Sequence, residues 1–533
     1  MTLLPDIARI LGAGDWFDPD AELLLGSACG TCGRRSFPPR MFCWWCRGPM
    51  SRVALPPAGV MVARSTVRVS PAGYPDHYDV GVVALGPDLH VLARFEGPAP
   101  AHGDAVSVRA GLIRQDDDQP VWGPVFVSRE RGPVEAWWLM DTPPAGRKQP
   151  PRRVGEAWIA GVATTQFGRP DQPAEELAAA AALAAVEDAG LHHRDVDALV
   201  VGSAFSTAAL GQRMLRFVPW GGCPVVNVEN ACASGSTALA QAVDLVRAGG
   251  ADVVLAIGAD VPVRSGGGLI PLDRSDPVAG IGVTLPSLYA LVADRYRARY
   301  GAGVEAFAEV VVRSRRNAAL NADAFQRTPV TAEDVLASRA IADPLTLWQC
   351  SPNADGAAAA VVVSERVLAR TAHVPVEVAG LSLQSGMTKD RFTGESVVAR
   401  VSADAYAEAG VRPADIGVVE LHDAFAPAAL TNLEALGLAE PGLAASRLMA
   451  GDFAGHGDGP ALNPSGGLLS RGHPPGATGL AQVAEVVRQL RGEAGDRQLS
   501  NPGVGMFLTM GGTVLELETN ACAVGILRRE GTR

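Results

Sequence analysis

Between residues 59 and 127 apolar and polar positions alternate in short runs separated by turn residues: GVMVARSTVRV (59–69), YDVGVVAL (78–85), LHVLARF (89–95), DAVSVRAGLI (104–113) and PVWGPVFV (120–127). Five such runs without helical periodicity predict five strands closing into a small barrel. Ahead of them, residues 1–28 read as a short amphipathic helix. After them, DTPPAGRKQPPRR (141–153) reads as a linker, because prolines and basic residues oppose a packed element. The period then changes. Strand-like AWIAGVA (157–163) is followed by an alanine-rich helical stretch (174–190) and by DVDALVVGSAF (195–205), and this alternation predicts an α/β fold.

The α/β part repeats itself. GSTALAQAVDLVR (235–247) and GATGLAQVAEVVR (476–488) share seven of thirteen residues at an offset of 241, and the same offset sets Cys232 in register with His473. Residues 184–205 match 404–425 at an offset of 220, sharing Ala189/Ala409, Gly190/Gly410, Asp195/Asp415 and Phe205/Phe425. Two similar halves, 155–373 and 374–533, are therefore expected, the first carrying an insertion at 262–345 without a counterpart. A cysteine at a helix start meets unpaired N–H groups and a partial positive charge, which favour its thiolate and predict a lowered pKa. If the halves pack about a pseudo-twofold axis, Cys232 and His473 meet across a cleft, where the imidazole can take the thiol proton and the glycines of GHPPGATG let backbone amides approach an oxyanion. An isolated cysteine or histidine here reads as a small core residue or a cap; the register between repeats favours the chemical reading.

Four of the eight cysteines, Cys29, Cys32, Cys43 and Cys46, have the spacing C-x2-C-x10-C-x2-C, which can place four thiolates tetrahedrally around a structural zinc. The 533 residues carry 46 Lys+Arg against 57 Asp+Glu, net −11, a balance that opposes general binding to a phosphate backbone. The N-terminus lacks the basic start and apolar run of a secretion signal and no apolar run is long enough to span a bilayer, so a cytoplasmic protein without membrane insertion is expected. The expected organisation is an N-terminal helix and zinc ribbon (1–50), a barrel (51–132), a linker (133–154) and the two halves.

NACASGSTAL (230–239), HDAFA (422–426) and NPSGGLLSRGHPPGATG (463–479), with ADGAAAAVVV (354–363) between the first two, resemble the nucleophile motif, a His-bearing third motif and the histidine motif of the thiolase superfamily, in its sterol-carrier-protein-type and lipid-transfer-protein-like branch. The resemblance implies a duplicated five-layered αβαβα fold and a homodimer through that part. It implies Cys232 as the nucleophile receiving an acyl group from coenzyme A, and His473 as its activating partner and oxyanion donor. It also implies that His422 holds a water or serves a second oxyanion hole, with Gly511 and Gly512 of LTMGGT in the C-terminal glycine loop. The ribbon followed by a barrel resembles the rubredoxin-like zinc ribbon plus OB-fold family of acyl-CoA-associated proteins. That resemblance implies a module docked on the thiolase-like part, helping to hold coenzyme A or shape an acyl tunnel, with Arg34, Arg35 and Arg40 as phosphate contacts or a solvated basic face.

The chain departs from the family pattern at one function. Many thiolases carry a second cysteine just before the glycine loop, where Thr509 stands here, and some relatives carry one inside HDxF, where Ala424 stands; Cys350 and Cys522 read as core. The proton step then falls to His422 or His473, whose ordinary titration range suits it. The expected function is an acyl-CoA C-acyltransferase cleaving or forming a β-ketoacyl-CoA. The alternatives are a thiolase-fold retro-aldolase acting on a β-hydroxyacyl-CoA and a noncatalytic lipid or acyl-CoA binding protein.

Overall fold

A computed structural model describes residues 9–10, 15–43, 45–87, 89–116, 119–129, 155–206, 208–270, 276–386, 396–455, 459–512 and 519–529. The expected linker, 133–154, lies wholly outside these residues. The helix expected over residues 1–28 is corrected where it is described: Arg9–Ile10, Phe17–Asp18 and Leu23–Cys29 are strands. Leu23–Cys29 pairs with Met50–Ala54 from Leu25↔Ala54 to Cys29↔Met50, and with Arg35–Ser36, so the chain is extended here to carry both cysteine knuckles on one small sheet. Gly26 permits that packing, since a Cβ there would lie 2.5 Å from the Ser36 carbonyl oxygen.

The five alternating runs form the strands Ala58–Val67, Tyr78–Gly86, Leu89–Arg94, Ala105–Asp116 and Gln119–Ser128. The first pairs antiparallel with the second and the fourth, the second with the third and the fourth with the fifth, and a parallel bridge Phe95↔Phe126 brings the end of the third strand to the fifth and closes the barrel. Its core holds Met61, Val80, Val82, Phe95, Val106 and Phe126.

The first half supplies Trp158–Thr164, Ala198–Gly202, Val225–Val228, Val253–Asp260 and Gly356–Val363; the second supplies Val376–Gln384, Val418–Glu420, Ala461–Leu462, Val504–Gly511 and Ala521–Arg529. Each five-strand set has the same order, and the sets join through a two-residue pairing of Trp158–Ile159 with Val376–Glu377. Helices Ser234–Arg247 and Pro475–Arg491, the pair matched at offset 241, form the central layer, and Ala174–Asp188 and Val397–Ala409 cover the outer faces. The central helices touch through glycines: a Cβ on Gly235 would lie 2.5 Å from the Gly476 carbonyl oxygen. The duplication thus folds as a two-half α/β sandwich with a paired helix layer at its centre, bearing the small cysteine-knuckle sheet and a five-stranded barrel.

The insertion joins barrel and sandwich. Val278, Ile281, Val283, Leu288 and Leu291 pack into the barrel's own core. Tyr78 donates a hydrogen bond to the Gly282 carbonyl at 2.6 Å, Arg114 donates to the Gly280 carbonyl at 2.9 Å, and the Arg64 amide donates to Asp294 at 2.8 Å. Strand Ala340–Ala342 extends the barrel sheet at Ala342↔Val67.

Candidate active site

At the ribbon, the Sγ atoms of Cys29, Cys32, Cys43 and Cys46 all lie within 4.8 Å of one another, and none is in a disulfide. The Thr31 and Trp45 amides donate to the sulfurs of Cys29 and Cys43 at 3.4 Å each, an arrangement that steadies thiolates. Four soft donors in one cluster fit a tetrahedral zinc site, whose ion would hold the two knuckles together. Elemental analysis is expected to find about one zinc per chain, and Cys29→Ser to unfold the ribbon. Metal-free protein with an equally stable Cys29→Ser variant would exclude the site. Arg34 lies over the Trp45 ring at 3.9 Å, and none of Arg34, Arg35 and Arg40 is among the residues that line the central cavity described next.

Between the halves, Cys232, His422 and His473 are buried with their ligand-type atoms all within 4.8 Å of one another. Cys232 stands just before the helix Ser234–Arg247 and follows Ala231, held at φ 50°, a left-handed conformation costing a non-glycine residue about 1 kcal/mol. The Ala231 amide donates to Glu229 at 2.6 Å, fixing the turn that aims the thiol. The Gly512 N–H donates toward the Cys232 sulfur. Gly511 is backed against the same turn, where a Cβ would lie 2.0 Å from the Asn230 carbonyl oxygen.

The lowered thiol pKa expected from the helix start is corrected. Burial, reinforced by the nearby charges of Asp260 and Glu229, pushes the Cys232 thiol up to about 12, outweighing the amides. The expectation that the imidazoles titrate in the neutral range is corrected too. Burial lowers His422 to about 3 and holds His473 well below its ordinary range. The resting site is therefore a neutral thiol beside two neutral imidazoles. Hydrogen bonding fixes one tautomer: Thr478 Oγ1 donates to the Pro474 carbonyl at 2.8 Å, so His473 Nδ1, 2.7 Å from that oxygen, must donate to it. His473 Nε2 is left as an acceptor, able to take a proton from a thiol. His422 lies edge-on to His473, ring centroids 5.3 Å apart, and its Nδ1 is buried without a hydrogen-bond partner among the described residues.

All three side chains open onto one cavity of about 380 Å³. Its far wall is aromatic and apolar: Tyr289 stacks on Phe425 with centroids 4.5 Å apart, beside Trp348, Leu269 and Met510. Val69, from the segment following barrel strand Ala58–Val67, and Ile341 complete it. Cys350, expected in the core, also lines this cavity, because the segment carrying it runs beside the HDAFA loop: Ser351 N–H donates to the Ala424 carbonyl at 2.8 Å. Cys522 is core, as is Thr509, whose hydroxyl donates to Gln482 at 2.6 Å and accepts from Ser236 at 2.9 Å. Tyr289, which the insertion brings against Phe425 of HDAFA, stands in no motif and could not be read from the sequence.

Paired halves that present a cysteine and a histidine from equivalent helix starts define a thiolase-type enzyme. The chain belongs to the thiolase family. Residues 157–366 match the family description "Thiolase, N-terminal domain" and residues 355–521 "Thiolase C-terminal domain-like". It is 36% identical to the benzoylsuccinyl-CoA thiolase subunit BbsB of Thauera aromatica, over 67% of this chain and 95% of that protein. It is 33% identical to human sterol carrier protein 2, over 68% of this chain and 72% of the other. Among solved structures, an "Ltp2-ChsH2(DUF35) aldolase" superposes with a TM-score of 0.62 and 30% identity, covering 71% of this chain and 99% of that one. Human mitochondrial 3-ketoacyl-CoA thiolase shares the fold at a TM-score of 0.55 and 16% identity, covering 71% and 99%. No helix among the described residues is long and apolar enough to cross a membrane.

Proposed function

We propose that the chain is an acyl-CoA C-acyltransferase that cleaves or forms a β-ketoacyl-CoA through a thioester on Cys232. The observation that supports this reading is the convergence of Cys232, His473 and His422 on one cavity wall, with the Gly512 N–H aimed at the sulfur. In the cleavage direction the Cys232 proton passes to Nε2 of His473 as the sulfur bonds to the β-carbonyl carbon. The bond between the α and β carbons breaks, and the departing enolate carbon takes the proton back. The thiol of a second coenzyme A then displaces the acyl group from Cys232, restoring the cysteine. His422 faces the reacting carbonyls as a neutral donor or water holder. The name of one relative, the benzoylsuccinyl-CoA thiolase subunit BbsB, agrees with this chemistry. A homodimer fits the edge strand Val225–Val228, where Val226 is half exposed.

A second reading is a retro-aldol cleavage of a β-hydroxyacyl-CoA. It is favoured by the buried, hydrogen-bonded Thr509 in place of a second thiol and by the likeness to the Ltp2-ChsH2(DUF35) aldolase. There a base removes the hydroxyl proton, the same carbon–carbon bond breaks, the α-carbon of the resulting enolate takes that proton back, and an aldehyde or ketone leaves beside an acyl-CoA without any enzyme adduct. The test supplies matched ketoacyl and hydroxyacyl thioesters and follows products and intact protein mass. An acyl adduct on Cys232 with cleavage that depends on free coenzyme A supports the transferase. A carbonyl product without adduct gives the aldolase. His422→Ala is expected to slow the carbon–carbon step more than acylation of Cys232; equal loss in both removes His422 from that step.

A further inference from the structure

The two halves treat their equivalent helix starts differently. Strands Val253–Asp260 and Val504–Gly511 occupy the same place in their half-sheets, and their last residues, Asp260 and Gly511, correspond. Each lies against the helix start of the opposite half: Gly511 packs on the turn before Cys232, while the Asp260 carboxylate accepts the Gly476 N–H at 2.6 Å. Gly476 is the second residue of the helix Pro475–Arg491, whose first is a proline without an N–H and whose Pro474 cap makes no side-chain hydrogen bond.

Asp260 is fully buried, and burial pushes its carboxyl above the ordinary carboxylate range, but it accepts four further hydrogen bonds, which favour the ionised form. Its Oδ1 takes Ser203 Oγ at 2.8 Å, the Phe205 amide at 2.9 Å and Ser206 Oγ at 3.0 Å, and its Oδ2 takes the Ala204 amide at 2.9 Å. Five donors on one carboxylate bind the loop 203–206 of the first half to the first free N–H of the helix that follows His473. A negative charge belongs at such a helix start.

We propose that Asp260 is a positioning residue for the Cys232–His473 pair: its carboxylate fills the anion-binding helix start behind His473 and fixes that loop. At the matching start before Cys232 the place of Asp260 is taken by Gly511, packed on the Asn230 carbonyl, and the carboxylate that meets the turn is Glu229, which accepts the Ala231 N–H at 2.6 Å. The inference deepens the proposed acyl transfer, but its decisive readout, alkylation of Cys232, does not depend on which reaction is catalysed.

The charged groups acting on Cys232 are Asp260 and Glu229, and the imidazoles facing it are His422 and His473. In Asp260→Asn, which keeps the shape and removes the charge, the pH profile of Cys232 alkylation by iodoacetamide should move to lower pH, because a repelling negative charge is gone. Turnover in the same variant should fall roughly 10- to 100-fold in kcat with little change in KM, as for other losses of orientation. Asp260→Gly, which copies the other half, should lose more, and millimolar formate should restore part of it by refilling the helix start. An unshifted alkylation profile in a folded Asp260→Asn protein overturns the proposal, as does an Asp260→Gly protein with full kcat. If the glycine variant does not fold, the alkylation profile of the asparagine variant decides alone.

Discussion

Cys232→Ala is expected to abolish acyl labelling and to lower turnover by roughly 10⁴-fold or more, the scale seen when a nucleophile is removed and only binding and oxyanion contacts remain. The turn at Ala231 sets this sulfur within 4.8 Å of a His473 ring nitrogen. His473→Ala should slow acylation by about a hundredfold or more, because base assistance and the donor it becomes once protonated are both lost. The free enzyme should also report the protonated thiol. With the pKa pushed up to about 12, only a small thiolate fraction exists near neutrality, so alkylation of Cys232 should be slow and rise about tenfold per pH unit. Intact-mass analysis followed by peptide mapping checks both statements. Acyl label on Cys350, which shares the cavity, or on Cys522 would sink the assignment.

The buried neutral imidazoles give stability a pH dependence of definite sign. His422, lowered to about 3 from an ordinary 6.5, cannot take a proton in the folded chain where the unfolded chain can. Its contribution is therefore complete above pH 6.5 and is lost as pH falls from there toward 3. Thermal melting across that window should show the decline. His422→Gln should flatten it in part, leaving the share of His473.

The barrel and the duplicated sandwich were legible because each depends on period. Alternation at two residues builds strands, and a helix repeated at an offset of 241 must find the same place in each half. The pairing of Cys232 with His473 followed from that symmetry. Their ionisation did not, since charge depends on how much water the other half excludes, and no local pattern records it. Asp260 is a related case. A lone acid ending the apolar run VVLAIGAD reads as a strand terminus, and only its register with Gly511 marks it as something else. The residues before Cys29 were misread because apolar positions in so short a segment fit a helix face as well as a strand paired at distance with Met50–Ala54.

Removing the ribbon and barrel should be as damaging as a change at the site itself. In a fragment of residues 150–533, Val278, Ile281, Val283, Leu288 and Leu291 would lose the barrel core they now share. At about 1.5–3 kcal/mol for each fully buried side chain, that is roughly 7–15 kcal/mol as an upper estimate, comparable with the whole stability of a domain. The loss would reach the cavity directly. Val69 and Ile341 both line it, and the Arg68 and Val69 amides donate to the Ile341 carbonyl at 2.9 and 3.2 Å, so the wall is a joint product of barrel and insertion. The fragment should therefore aggregate or retain only a small fraction of the activity, and residues 1–140 supplied in trans should restore part of it. Leu291→Asp in the full chain should reproduce the defect, because it places a charge in the shared core while leaving Cys232, His473 and His422 unchanged. Size-exclusion chromatography with activity measurement distinguishes the outcomes. A monodisperse 150–533 fragment with full activity would show that the sandwich builds its cavity without the barrel.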